Sequence, residues 1–233
     1  MKLRIKFIKH GAIRFIGHLD VMRFFQKTIR RAGIDVAYSG GYSPHQIMSF
    51  AAPLGVGLES NGEYMDIEVN SISSCEDVMN KLNEASVPGI QVVNVIILPE
   101  GAGNAMASVA AASYTVCFRE DRFPAFFHKT DQEINRLLQD YLEKDEIIII
   151  KDGKNGPREV NIRPGIMELK YENARLKMLV DASSAGNIKP IQIVETLLKE
   201  VSEELAANAL LITREETFTY AKDGKTLIPL SDV

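Results

Sequence analysis

Leu3, Ile5 and Phe7 alternate with Arg4, Lys6 and Ile8, the two-residue period of a half-buried strand. After a turn around Gly11 the period lengthens. Over 18–32 the apolar positions Leu19, Met22, Phe25 (or Gln26) and Ile29 recur at three- and four-residue steps. Arg23, Lys27, Arg30 and Arg31 occupy a neighbouring stripe, which predicts an amphipathic helix. Gly33 stops it, and 34–38 reads as extended. A polar, turn-rich loop, SGGYSPH, leads to a short apolar run at 47–51, and a second loop over 53–62 leads to a strand at 63–69. Ser73 with Glu76, or Ser74 with Asp77, supplies a capping box for a helix through Met79, Leu82 and Ala85. Pro88-Gly89 ends it, and 90–98 is a strand.

Strand, helix, strand, strand, helix, strand is the ferredoxin-like βαββαβ arrangement. Residues 100–112 are Gly/Ala-rich and read as a connection with one helical turn. The pattern then repeats. A strand at 114–118 precedes a capping box, Thr130 with Glu133, and the helical stripe Ile134, Leu137, Leu138, Tyr141, Leu142. A strand at 146–151 is closed by the turn dipeptides Asp152-Gly153 and Asn155-Gly156, and strands at 166–172 and 175–181 follow. Pro190 opens a helix through Ile191, Val194, Leu197, Leu198 and Val201; 209–220 is a strand, and Asp223-Gly224 makes a last hairpin. The expected fold class is α+β: two tandem ferredoxin-like units with antiparallel sheets, 1–100 and 113–233, joined by 100–112. The second carries an extra hairpin. The repeat is one of pattern, not of sequence.

Length and composition set the outer bounds. With 233 residues, 45% of them hydrophobic, the chain has material for a real core, which excludes a disulfide scaffold and a disordered chain. Cys75 and Cys117 have no CxxC spacing and no close histidine, which argues for a reducing compartment and against a zinc site or iron–sulfur cluster. The N-terminal MKLRIKFIKHGAIRF is interrupted by charge and does not read as a signal peptide, and no apolar run is long enough to span a bilayer. The expectation is a cytoplasmic protein without a membrane partner. The net charge of −4 hides an asymmetry: residues 1–50 carry +7 and the remainder −11, with His10, His18 and His45 in the basic part. A segregated basic face suits a polyanion, although small basic clusters are also common on solvated faces.

The densest reactive cluster is Arg14, His18, Asp20 and Arg23 around the first helix start, with Tyr38, Ser39, Tyr42 and His45 in the next loop. Asp20 also suits the positive end of the helix dipole, and His18 either caps that helix or packs under it. His18 and Asp20 diverge by about 200° on a helix, so with His45 they make a poor ligand set, and no metal or cofactor is expected. Glycines 40, 41, 55 and 57 match no phosphate-loop spacing, and there is no GxSxG elbow. RNA fits the residue types better. Arg14, Arg23, Lys27, Arg30 and Arg31 suit phosphates, and Phe15, Tyr38 and Tyr42 suit stacking on unpaired bases. His45 sits among them. Core packing of Phe15 and Tyr38 is the competing reading.

The stretch RFIGHLDVMRFFQKTIRRAGIDVAYSGGYSPHQIMSFAAPLGVGLES (14–60) resembles the radical-SAM-linked proteins, a bacterial family of unknown function; weaker similarity continues through VNIRPGIMEL (160–169) and NIKP (187–190). The sequence departs from that pattern at Gly17 (usually Ser), Tyr42-Ser43 (usually Phe-Asn) and Gln46 (usually Pro). The resemblance implies a cobalamin-binding radical-SAM protein as companion and a link to RNA or the ribosome. The CxxxCxxC cluster motif is absent from this chain. The leading expectation is a non-catalytic accessory subunit that binds RNA or a ribonucleoprotein. The alternatives are a metal-independent endoribonuclease, with His18 or His45 as general acid/base beside Tyr38 or Tyr42, and a protein adaptor without RNA.

Overall fold

The computed structural model describes residues 1–153 and 156–233, so Asn155 of the expected Asn155-Gly156 turn lies outside the described residues. In chain order the elements begin with β1 (Lys2–Lys9), α1 (His18–Arg31), β2 (Met48–Phe50), β3 (Glu59–Glu68), α2 (Cys75–Glu84), β4 (Ile90–Ile97) and the short α3 (Ala105–Ser108). They continue with β5 (Ala111–Phe118), α4 (Asp131–Leu142), β6 (Ile148–Gly153), β7 (Gly156–Asn161), β8 (Ile166–Glu172), β9 (Arg175–Asp181), α5 (Pro190–Glu200), β10 (Leu210–Tyr220) and β11 (Leu227–Pro229). The fold is α+β with antiparallel pairing. Among the described residues, no helix is long and apolar enough to cross a membrane. The chain divides into two compact units, 1–110 with 214–233, and 111–213.

In the first unit the strand order is β4-β1-β3-β10, with β2 on β3 and β11 on β10. One face of this sheet carries the core. Leu3, Ile5 and Phe7 of β1 and Met65 and Ile67 of β3 pack with Val21, Phe25 and Ile29 of α1 and with Val78 and Leu82 of α2. Burying each large side chain contributes about 1.5–3 kcal/mol. The buried stripe of α1 runs through Val21, Phe25, Thr28 and Ile29, with Met22 partly buried against the same core, and of the expected apolar positions only Leu19 falls outside it. Leu19 lies roughly 160° around the axis from Val21 and is exposed. A Schellman pair, Gly33 N–H to Arg30 O and Ile34 N–H to Ile29 O, ends α1 with Gly33 at φ +64.

The opposite face is polar and also buried. Arg4, 2% exposed, grips Asp66 with two hydrogen bonds (2.8 and 3.1 Å) and donates to the Leu230 carbonyl at 3.2 Å. Tyr64 donates its hydroxyl to Glu216, and Thr217 donates to the Gly62 carbonyl. These bonds are why residues 214–233 group with 1–110, whereas the sequence pattern runs the second unit on to 233.

Two more expectations change here. The expected strand at 34–38 is reduced to single bridges, Val36 with Val69 and Tyr38 with Gln46. Asp35 and Ala37 still bond the end of β3, through Asn70 N–H on the Asp35 carbonyl and Ala37 N–H on the Glu68 carbonyl, but Val36 N–H turns back onto the Ile34 carbonyl and the pairing does not extend into a ladder. The loop expected over 53–62 ends early, because β3 already starts at Glu59 against the end of β1.

In the second unit the order is β5-β9-β8. Helix α4 starts with the Thr130–Glu133 capping box, and α5 starts at Pro190. They meet through Tyr141, whose hydroxyl lies 2.7 Å from Thr196 Oγ1. Asn135 of α4 bonds both backbone groups of Tyr171 in β8. The hairpin β6-β7 lies between α4 and β8 in the chain.

Candidate functional site

The expected site residues all belong to the first unit. Between β1 and α1 the chain makes a 3-10 turn, Gly11–Phe15. Gly89 makes room for it. Its φ is +97, a Cβ there would lie 2.7 Å from the His10 carbonyl oxygen, and His10 N–H donates to the Gly89 carbonyl. Glu59 secures the turn from the other side by accepting from Gly11 N–H at 3.0 Å and Arg14 at 3.3 Å, with His10 Nδ1 3.2 Å away. His10 Nε2 lies 2.8 Å from Asn61 Oδ1, and Asn61 donates to Glu215. Burial pushes the Glu59 carboxyl up, but the bonds from Gly11 and His10, with the charges of His10 and Arg14, hold it below the usual carboxylate range. Arg14 also lies 4.9 Å from the Phe15 ring centroid, so guanidinium and ring are presented together, with Phe15 exposed.

The loop after α1 is a narrow clasp. Tyr38 pairs with Gln46, Ser39 N–H donates to the His45 carbonyl at 2.8 Å, and His45 N–H donates to Ser39 Oγ at 3.1 Å. Ser39 Oγ also lies 2.9 Å from His45 Nδ1, so one hydroxyl meets both the backbone and the ring of His45. Gly41 at φ +98 turns the chain at the tip, and the adjacent Tyr42 is wholly exposed. Gln46 donates to the Gln26 carbonyl, which ties the clasp to α1.

On α1 itself, Leu19, Arg23, Lys27 and Arg30 fall within roughly 80° of one another on the outer face. Arg23 is exposed and reaches Asp20 at 3.5 Å, a weak surface pair, and Lys27 and Arg30 are exposed. Two of the expected cations are otherwise engaged: Arg14 by Glu59, and Arg31 by Thr28 Oγ1 and the Ala85 carbonyl. The His18 ring meets Phe50 edge-on at 5.1 Å. Among the described residues, no hydrogen bond joins His18 to His45 or either to Tyr38, and no group of three His, Cys, Asp or Glu is placed to hold a metal.

Sequence reasoning missed a buried ionic cluster behind this surface. Glu63, opposite Phe7 in the ladder and so on the core face, pairs with Arg214 at 2.7 Å. Arg214 also donates to the Ala52 carbonyl at 2.8 Å. Lys9, two residues beyond Phe7 on the same face of β1, is 2% exposed. The available signal was a lysine at an inward position of an alternating strand; nothing in the pattern links Arg214 to it.

No curated protein matches the chain. A family model described as an uncharacterized protein conserved in bacteria, DUF2344, matches residues 2–190. Spanning most of the sequence and both structural units, that match makes the chain a member of this conserved bacterial family.

Proposed function

We propose that this chain is a non-catalytic accessory protein that binds RNA through the outer face of α1 and the clasp beside it, in the service of a cobalamin-dependent radical-SAM protein. The observation that carries the reading is the joint presentation of exposed cations and exposed rings. Arg23, Lys27 and Arg30 line one helix face, and Tyr42 and the Arg14–Phe15 pair stand on the segments flanking it. Cations bind phosphates without regard to sequence, and rings stack on splayed bases. The radical-SAM partner rests on the resemblance over 14–60. We also read each unit as ferredoxin-like; the order β4-β1-β3-β2 with α1 and α2 in the first, and β5-β9-β8 with α4 and α5 in the second, support that reading.

The test is capture of the tagged chain from a native bacterial cell, with bound RNA and protein both identified. RNA together with a cobalamin-binding radical-SAM protein is the expected result. Capture of protein alone contradicts the RNA reading. The captured RNA, incubated with the chain without added metal, should stay intact; cleavage lost in His45→Ala or His18→Ala turns the assignment to an endoribonuclease.

A further inference from the structure

Lys151 and Arg158 stand directly opposite each other in the β6-β7 ladder, so two like charges share one face of the hairpin, an arrangement that costs stability. Lys189, where α5 begins, is a third cation in the same field. Burial lowers the Lys151 pKa and the charges of Arg158 and Lys189 lower it further, while Asp181 opposes them. The first turn of α5 holds no acidic residue to offset Lys189 at the positive end of the helix. Arg158 and Lys189 are exposed, and among the described residues no ion pair reaches either. Asp152 and Glu159, the nearest acids along the hairpin, alternate onto its other face.

The segment that gathers these cations is closely tied. The Asp181 carboxylate accepts from Ser183 N–H at 2.7 Å, and its backbone carbonyl accepts from Ile188 N–H at 2.9 Å. Only glycine fits at 186, where a Cβ would enter the Asp181 carboxylate. Asn187 takes a left-handed φ of +43, and Lys151 donates to the carbonyls of Gly186 at 2.8 Å and Asn187 at 3.4 Å. Lys151 is thereby fixed to the turn that leads into Lys189. The stretches 160–169 and 187–190, which carry the weaker family resemblance, meet here: a Cβ at Gly165 would lie 2.6 Å from Ile188 Cδ1. Neither stretch belongs to the α1 face.

We propose that Arg158 and Lys189, with Lys151 beside them, form a second RNA surface, on the second unit, that takes backbone phosphates and reads no bases. Phosphates supply the negative charge that this face lacks, and contacts to phosphate position a strand without reading its sequence. The exposed apolar side chains of the hairpin, Ile148 and Ile150, alternate onto the opposite face, so the cation face of the hairpin offers little to the apolar anchor of a protein partner. The proposal rests on the reading of this chain as an RNA-binding protein, but not on the outer face of α1 as the place.

A short oligouridylate is titrated into the full-length isotope-labelled chain. The amide signals of Lys151, Glu159 and Gln192, around the proposed surface, are followed by NMR beside those of Met22 and Lys27 on α1. Saturable, salt-sensitive shifts at Lys151, Glu159 and Gln192 are expected, and they should persist in Arg23→Ala/Arg30→Ala. Arg158→Gln/Lys189→Gln should weaken them at least about tenfold, the scale of one charge-assisted hydrogen bond, and leave the α1 shifts in place. That variant should unfold no earlier than the unmodified chain, because Lys151 loses like-charged neighbours, so the loss reports charge and not folding. Shifts on α1 with none around Arg158 and Lys189 overturn this proposal and leave the RNA reading standing; shifts at neither place overturn both. Equal binding by the Arg158/Lys189 variant, or equal binding of an oligoglutamate of the same charge, also overturns it.

Discussion

Ser39 and His45 close the neck of the loop that presents Tyr42, joined by two backbone-anchored bonds and by the Ser39 hydroxyl on His45 Nδ1 at 2.9 Å. A loop held at its neck loses less conformational freedom when its tip engages a ligand. Ser39→Ala removes the side-chain bonds at an exposed position, so stability should change by no more than about 1 kcal/mol. RNA affinity should nevertheless fall. Tyr42→Ala should cost about 1–3 kcal/mol of binding, the range for a stacked base, without changing the salt dependence. Anisotropy with single-stranded RNA at several salt concentrations measures both.

Arg4 and Asp66 supply the clearest stability prediction. Both are buried and bonded twice to each other. Arg4→Met leaves the Asp66 carboxylate buried without its partner, which should destabilise the chain by about 3–5 kcal/mol in denaturant unfolding. Adding Asp66→Leu should recover a large part of that loss, since the penalty comes from the stranded charge.

Gly89→Ala should also destabilise. Its φ of +97 disfavours any L side chain, and the new methyl would press on the His10 carbonyl. We expect a loss of more than about 1 kcal/mol, measured as a lowered unfolding midpoint. RNA binding by the folded fraction should weaken as well, because the Gly11–Phe15 turn that carries Arg14 and Phe15 rests there.

Glu59 gives a pH prediction with a defined sign. Its folded pKa lies below its unfolded value, so its contribution to stability is present above the ordinary carboxylate range and is lost as pH falls through the folded value. The stability difference between the native chain and Glu59→Gln should therefore be constant near neutrality and close in acid. A gap that widened below pH 4 would contradict the assignment.

Much of the architecture was legible because its signals are local. The capping residues Ser74 and Thr130, Pro190 at the start of α5 and the alternation of β1 each point to their element without reference to the rest of the chain. What was not legible depends on distant partners. The 34–38 segment has strand-like residues, but its pairing is split between Val69 and Gln46 and interrupted where Val36 N–H turns back to the Ile34 carbonyl, so it makes only single bridges. Residues 214–233 join the first unit through Arg4, Gly62 and Tyr64, which no periodicity can reveal. At the site, exposed Tyr42 and the outer arginines follow from pattern. The engagement of Arg14 by Glu59 and of Arg31 by Ala85 does not, nor does the burial of Lys9.

The most direct test of the RNA reading is the salt dependence of binding. Log affinity for a single strand should fall linearly with log salt, with a slope of about −0.7 for each phosphate neutralised. Arg23→Ala/Arg30→Ala removes two exposed outer-face cations without touching the core. It should weaken binding and flatten the slope by about 1.4. An unmodified chain that binds RNA with no salt dependence, or a double variant with an unchanged slope, would contradict the account.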